Sequence, residues 1–543
     1  MREFNTSGPN NPDIHFTVMR EALLQKAVEQ ITRPADPKGG RYFTLYAPRQ
    51  TGKTTFVEQL MKRLDRQQFF PAMISFESLS GLEESDFYAG LSNRLDRMGN
   101  FPFAIPAMSR RRDFEDFLSA LKTQLPQKLC LIVDEFDGIT GPYLGELLHL
   151  FRLIYHARGQ KYNLHSLILI GVRNLTEINL EHASPFNTND EIRLSSFTRE
   201  ETLDLMGQYE AESGQLFAPE VKERIYYETQ GQPGLVNALC RKMVEDLNPG
   251  LDKPIGPDIA HEAIKLFIHV DISKNLTNIV NKAKQVEDHI LDLFTTKNKI
   301  NFNIDEEWQK FLWVHGVIAV EAASDGEKYI KFACPLYQKK LYFAFKPRIL
   351  EIEYYQPIGV SYKSFLRPDG SLDLFALLKS YQAYVNRRGK KAFAHARKRK
   401  DGRYFEAAYH YSLDTFLSAA MQYLDGQSHV EFPTGNGKVD IVIFQRNHQY
   451  ILEVKNFAGE DQLLKAKTQA ARYAKSEGLN EVYLVVFSEV HPRNTLTASF
   501  EENLENIAVK SVLINVNFAR AKSSPRRRSS SRRVPVKKRR AAR

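Results

Sequence analysis

A lysine followed by two threonines, Lys53-Thr54-Thr55, stands where an apolar run gives way to an amphipathic one. The run before it, YFTLYA, predicts a buried strand. The segment after it, KTTFVEQLMKRL, carries Phe56, Val57, Leu60, Met61 and Leu64 at helical spacing. Between them lies Pro48-Arg49-Gln50-Thr51-Gly52. A strand, a glycine-bearing loop and a helix opened by Lys-Thr make a phosphate cradle. Backbone N–H groups at the helix start face the phosphates, Lys53 adds a point charge at the β and γ positions, and the Thr54 hydroxyl reaches Mg²⁺. Residues 47–55 are therefore the candidate ATP contacts. The first position of the G-x-x-x-x-G-K-[ST] pattern is Ala47 here, whereas Gly52, where the backbone must approach most closely, is kept.

A partner for this loop is expected at the end of a second buried strand. KLCLIVDEFDGI supplies an unbroken apolar run ending in Asp134-Glu135. Carboxylates at the C-terminal end of such a strand fall in the crevice where open α/β sheets bind ligands. Asp134 is expected to hold Mg²⁺ through water and Glu135 to orient and deprotonate the attacking water. A further apolar run, LHSLILIGV, ends in Arg173-Asn174, and Asn174 is the candidate sensor of the γ-phosphate.

A second group of reactive residues lies near the other end of the chain. GNGKVDIVIF sets Asp440 near the start of a predicted strand, and HQYILEVKNF carries Glu453 and Lys455 on the next. Residues two apart on a strand share a face, so Glu453 and Lys455 point one way and Leu452 and Val454 the other. The short separation of Asp440 from Glu453 suits a hairpin that stands them side by side. Two carboxylates beside a lysine make a hard-oxygen site suited to Mg²⁺ and to phosphodiester hydrolysis.

The intervening chain must position these groups. Helices are expected at 21–31, 113–125 and 143–158, and strands at 71–77 and 191–198. This alternation implies a mostly parallel sheet. Residues 258–268 and 285–296 read as helices, and VIAVE and YIKFA flank a Ser-Asp-Gly turn, a hairpin signal. A helix is expected over 372–400; its C-terminal half, with Arg403 just beyond, carries nine Lys/Arg between 387 and 403, a solvated end or a phosphate-contacting patch. RYFEAAYHYSLDTFLSAAMQYL is amphipathic and carries Glu406; VYLVVFS and VLINVNF complete the C-terminal strands.

With APRQTGKT, LIVDEFD, SPFN (184–187) and GQPGLVNALC on the page, residues 10–250 resemble the AAA-like ATPases of the prokaryotic STAND/AAA+ class. The resemblance implies an ATP-binding core and a helical lid; a homo-oligomer through the ATPase domain is a candidate partner arrangement. The helices and hairpin that follow resemble a winged helix. The spacing D-x12-E-x-K resembles the PD-(D/E)xK nucleases. That resemblance implies catalytic roles for Asp440, Glu453 and Lys455, for the helical Glu406, and for Gln469 of the QAARY stretch, which matches the Gln/Tyr element (Gln469, Tyr473) of resolvase-like members. The expected fold is thus multidomain α/β. It comprises an ATPase core (1–195), a lid (196–255), a winged-helix-like module (256–350), a helical connector (351–402), a restriction-endonuclease-like domain (403–518) and a disordered basic tail (519–543).

Composition narrows the class. Three scattered cysteines among 543 residues argue against a disulfide framework or zinc module. No stretch approaches the ~20 apolar residues of a membrane span. Residues 520–543 hold twelve Lys/Arg and no acid; set against a net charge of +10, they leave residues 1–519 at −2. The tail reads as a phosphate-neutralising arm or, over residues 526–540, as a nuclear import signal. The expected compartment is the bacterial cytoplasm; the alternative is entry into a host nucleus. The function expected is an ATP-regulated, Mg²⁺-dependent nuclease acting on DNA, the alternative an ATP-switched nucleic-acid-binding protein whose nuclease fold does not cleave.

Overall fold

The computed structural model of the chain describes residues 1–32, 39–138, 143–172, 191–270, 273–295, 299–324, 326–347, 361–393, 396–431, 440–456, 460–476, 478–488 and 499–517. Residues 1–346 form one compact unit, and the described residues after 346 form a second.

The first unit begins with α1 (Glu21–Thr32), β1 (Tyr42–Tyr46), α2 (Lys53–Arg63) and β2 (Phe69–Ser75). It continues through α3 (Glu84–Met98), α4 (Arg111–Gln124), β3 (Lys128–Asp134), α5 (Tyr143–Ala157), β4 (Leu164–Gly171) and β5 (Glu191–Arg193). The five strands pair in parallel in the order β2-β3-β4-β1-β5. Alternation along the strands explains the layers. Cys130 and Ile132 of β3 join the core under α1 and α2, whereas Leu129, Leu131 and Val133 join the core under α3, α4 and α5. A strand buried on both faces must be apolar throughout, as KLCLIVD is. β5 is shorter than the strand expected at 191–198. Leu194 still donates to the Tyr46 carbonyl at 3.1 Å. Four residues on, Thr198 caps α6 (Arg199–Ser213), its side chain accepting from Glu201 N while the Glu201 side chain accepts from Thr198 N.

Helices follow: α7 (Pro219–Thr229), α8 (Pro233–Arg241), α9 (Pro257–His269), α10 (Lys274–Gln285), α11 (Glu287–Thr295) and α12 (Glu307–Val314). A hairpin, β6 (Ile318–Ala322) and β7 (Lys328–Phe332), and α13 (Pro335–Phe345) complete the unit. α10 was not expected from the sequence; the Ser273 side chain starts it by accepting from Leu276 N.

The second unit contains α14 (Leu374–Arg388), α15 (Glu406–Tyr423), β8 (Gly426–Glu431), β9 (Asp440–Gln445), β10 (His448–Asn456), α16 (Glu460–Ser476), β11 (Glu481–Ser488), β12 (Phe500–Leu504) and β13 (Ile507–Asn515). Its sheet is mixed, in the order β12-β13-β11-β10-β9-β8, with β10–β11 and β11–β13 parallel. α14 and α15 cover one face, where Leu452, Val454 and Tyr483 lie. α16 covers the other through Ala470, Ala471 and Ala474 against Ile451 and Val482. The helix expected over 372–400 stops at Arg388. Gly389 then takes a positive φ of 54°, and a short 3₁₀ turn follows. The basic stretch beyond it holds a tight turn in which Arg399 N donates to the Arg403 carbonyl at 2.7 Å.

Candidate functional site

All strands of the first sheet run the same way, so the loop after β1 and the acids after β3 open on one edge. Gly52 precedes α2 with φ 87°, a left-handed conformation that costs other residues about 1–2 kcal/mol. No side chain caps the start of this helix, and no heavy atom lies within 4 Å of the position a Cβ would take at residue 52. The first N–H groups of α2 are therefore left for an anion, and the space beside Gly52 is open. Around them the loop is tied down. The Thr51 hydroxyl donates to the Pro48 carbonyl at 2.8 Å, and Lys53 Nζ donates to Ala47 O at 2.7 Å and Pro48 O at 3.1 Å. Thr54 is half-buried at the head of α2, and the Thr55 hydroxyl accepts from Asn10 N at 2.9 Å. These residues fit a triphosphate.

Asp134 ends β3, half-buried, and accepts from Glu135 N at 2.8 Å. Glu135 is exposed with φ 53°. Asn174 and the SPFN stretch lie outside the described residues. Arg49 and Gln50 meet α8: Gln232 Nε2 reaches the Arg49 carbonyl at 3.3 Å, and Gly234 N donates to the Gln50 carbonyl at 3.2 Å. A Cβ at residue 234 would lie 2.7 Å from Gln50 Oε1 and 2.9 Å from Gln50 Cβ, so any larger residue there would push Gln50 aside. The turn after α12 also touches the loop, since a Cβ at Gly316 would lie 2.8 Å from the Pro48 ring.

A cavity beside the loop is lined by Gly52, Gln59, Arg20, Phe197 and Asn237, and by the N-terminal residues Asn5–Gly8. Sequence reasoning missed this cavity. Asn237 did carry a signal, as the one polar side chain inside LVNALC. Asn5–Gly8 carried none, since a polar stretch before the first helix reads as a leader.

In the second unit, the β9–β10 ladder pairs Ile441 with Leu452. The same register sets the backbone of Asp440, the first residue of β9, across from Glu453; the Asp440 side chain lies outside the described residues. Glu453 is 1% exposed and Lys455 6%, and Lys455 Nζ lies 2.9 Å from Glu453 Oε2. The approach is off the line of a hydrogen bond, and that oxygen accepts none among the described residues. Both side chains share the face of Ile451, under α16. Glu406 opens α15, half-buried, in the layer on the opposite side of the sheet. Gln469 is exposed on α16, while the adjacent Ala470 and Ala471 face the sheet. The structure thus brings Glu453 and Lys455 together and leaves Gln469 in solvent. Among the described residues no group of three or more His, Cys, Asp or Glu is gathered to hold a metal, and no helix is long and apolar enough to cross a membrane.

Residues 36–178 match the AAA domain family, and residues 375–489 match a domain family of unknown function. No curated protein matches the chain. Among solved structures, a Walker-type ATPase of Pyrococcus abyssi is 14% identical and aligns over 62% of this chain and 99% of its own, with a TM-score of 0.43. The Orc1 protein of Aeropyrum pernix, solved in complex with DNA, is 13% identical over 60% of this chain and 93% of its own, TM-score 0.34. The RuvB Holliday junction branch migration motor of Thermotoga maritima is 12% identical over 58% and 92%, TM-score 0.34. The parallel sheet, the phosphate loop and the AAA match together define an AAA-like P-loop ATPase domain in the N-terminal region, followed by a mixed-sheet unit.

Proposed function

We propose that the chain is an ATP-controlled, Mg²⁺-dependent nuclease, with ATP bound in the first unit and phosphodiester cleavage carried out in the second. The observation that carries this reading is the buried Glu453–Lys455 pair, with the Asp440 backbone in register across from Glu453, on a chain that also has a phosphate loop. In the first unit Lys53 and the α2 N-terminus would hold the triphosphate, Thr54 and Asp134 would hold the metal, and Glu135 would orient the attacking water. Mg²⁺, when bound, supplies charge neutralisation between the phosphates. In the second unit Asp440 and Glu453 would hold a metal, and Lys455 would orient a water or balance charge developing on the phosphate. Glu406 and Gln469 are retained as candidates by resemblance alone. On this reading α6–α8 form the lid and α9–α13 with the hairpin a winged-helix-like module, and both would pass the nucleotide state onward. DNA is the proposed partner.

One observation favours a second reading. Glu453 and Lys455 are almost fully buried, as a structural ion pair would be. The second unit would then bind nucleic acid without cutting it. A cleavage assay on supercoiled, linear and single-stranded DNA separates the two, with wild type, Glu453→Ala and Lys53→Ala compared with and without ATP. A nuclease loses cleavage in Glu453→Ala by at least a hundredfold and alters its ATP response in Lys53→Ala. Intact DNA in Mg²⁺ under every condition, with binding that persists in EDTA, would discard the nuclease in favour of the binding protein.

A further inference from the structure

Three side chains in the wall of the cavity beside the phosphate loop each hold a polar atom without a partner: Arg20 Nη2, Gln59 Nε2 and Asn237 Oδ1. The residues are 7%, 7% and 4% exposed. A buried polar atom left unpaired is costly because it has lost its water and gained nothing in return, so three in one cavity call for a ligand that satisfies them.

Their remaining bonds fix what two of them can offer. Asn237 Nδ2 donates to the Pro233 carbonyl at 2.9 Å. Turning the amide over would set its oxygen against that carbonyl, so the end left free is an acceptor. Arg20 Nη1 donates to the Ser195 carbonyl at 2.7 Å, and its guanidinium lies over the Phe197 ring at 4.9 Å. Its free end is a donor, since a guanidinium accepts nothing. Gln59 is on α2, six residues past Lys53, about 9 Å further along the helix at 1.5 Å per residue. With the phosphates at the start of α2, Gln59 stands toward the sugar and base.

We propose that Asn237, with Gln59 and Arg20, reads the base of the bound nucleotide and selects adenine over guanine. This rests on the reading of the first unit as an ATP site. Adenine carries an amino group at position 6, a donor that meets the fixed acceptor of Asn237; guanine carries an oxygen there, which would face the Asn237 oxygen with like charge. Arg20 supplies a donor for a ring nitrogen, and the Gln59 amide can turn either its donor or its acceptor end to the ring. A site that pairs a hydrogen-bonding group discriminates strongly against the analogue lacking it, because its own buried group is then stranded.

The test is equilibrium binding of ATP, GTP and inorganic tripolyphosphate to the full chain in Mg²⁺. Wild type binds ATP at least tenfold more tightly than GTP. In Asn237→Leu the ATP affinity falls about tenfold, GTP is unchanged or improved, and tripolyphosphate is unaffected. Gln59→Met, which removes an amide and keeps the volume, weakens ATP several-fold with tripolyphosphate unaffected, and tests the proposal should Asn237→Leu fold poorly. Equal binding of ATP and GTP by wild type, or an unchanged ratio in both variants, overturns base selection and leaves the ATP site standing. Binding of none of the three ligands overturns the ATP site and this proposal with it.

Discussion

Lys455 and Glu453 face each other at 2.9 Å in a part of the second unit almost shut off from water. Taking one partner from such a pair strands the other charge, at a cost of about 3–5 kcal/mol, whereas replacing both by apolar groups of similar size is often neutral. Lys455→Met is therefore expected to lower the unfolding free energy of the second unit by several kcal/mol, and Glu453→Leu with Lys455→Met to recover most of it. Chemical denaturation checks this; a single variant as stable as wild type would mean the pair is solvated in solution. The same measurement protects the cleavage assay, because lost activity in an unfolded variant says nothing of catalysis. At this scale the sequence was informative wherever spacing carried the chemistry, as in Gly52-Lys53-Thr54 or Glu453-x-Lys455. It was silent about Arg20 and Gln59 and marked Asn237 only as a lone polar residue in LVNALC; the three come from distant segments and share a cavity only after folding.

Among the helices, Glu228 of α7 is fully buried and meets Lys339 of α13 at 2.5 Å and Arg224 of its own helix at 2.7 Å. It joins elements more than a hundred residues apart in the chain. Lys339→Met leaves Glu228 with Arg224 alone, which is half exposed, and should cost about 1–3 kcal/mol. Thermal unfolding should show the midpoint fall by a few degrees, with Glu228→Leu added to Lys339→Met restoring it. An unmoved midpoint in the single variant would show that α7 and α13 do not depend on this ion pair. Elements with full burial on one or two faces were legible, β1, β3, β4 and β11 among them, because burial forces an apolar run. The strands β8 and β12 were not anticipated. They form the two edges of their sheet, and GQSHVE and FEENL are polar because an edge strand facing water has little apolar surface to hide.

For the whole molecule, charge is distributed unevenly: residues 520–543 carry twelve basic residues, and the remainder of the chain is slightly acidic. Removing those residues should weaken non-specific DNA binding. It should also flatten the dependence of log affinity on log salt, by about 0.9 for each phosphate that the tail neutralises. A filter-binding or anisotropy series at several salt concentrations reads this; an unchanged slope would move the phosphate contacts into the folded units, where the Lys/Arg-rich stretch of 387–403 is the next candidate.

Periodicity and spacing alone determined an α/β chain with a phosphate loop near one end and an acid-lysine strand pair near the other, because strand burial, helix faces and the Gly-Lys-Thr turn are local patterns of adjacent residues. Tertiary structure decided the rest. It set the order β2-β3-β4-β1-β5, ran α8 against Gln50 and turned Gln469 outward. It also gathered three unpaired polar atoms from α2, α8 and the residue before α1 into one cavity. Those outcomes depend on which distant surfaces exclude water together, and no window of neighbouring residues contains that information.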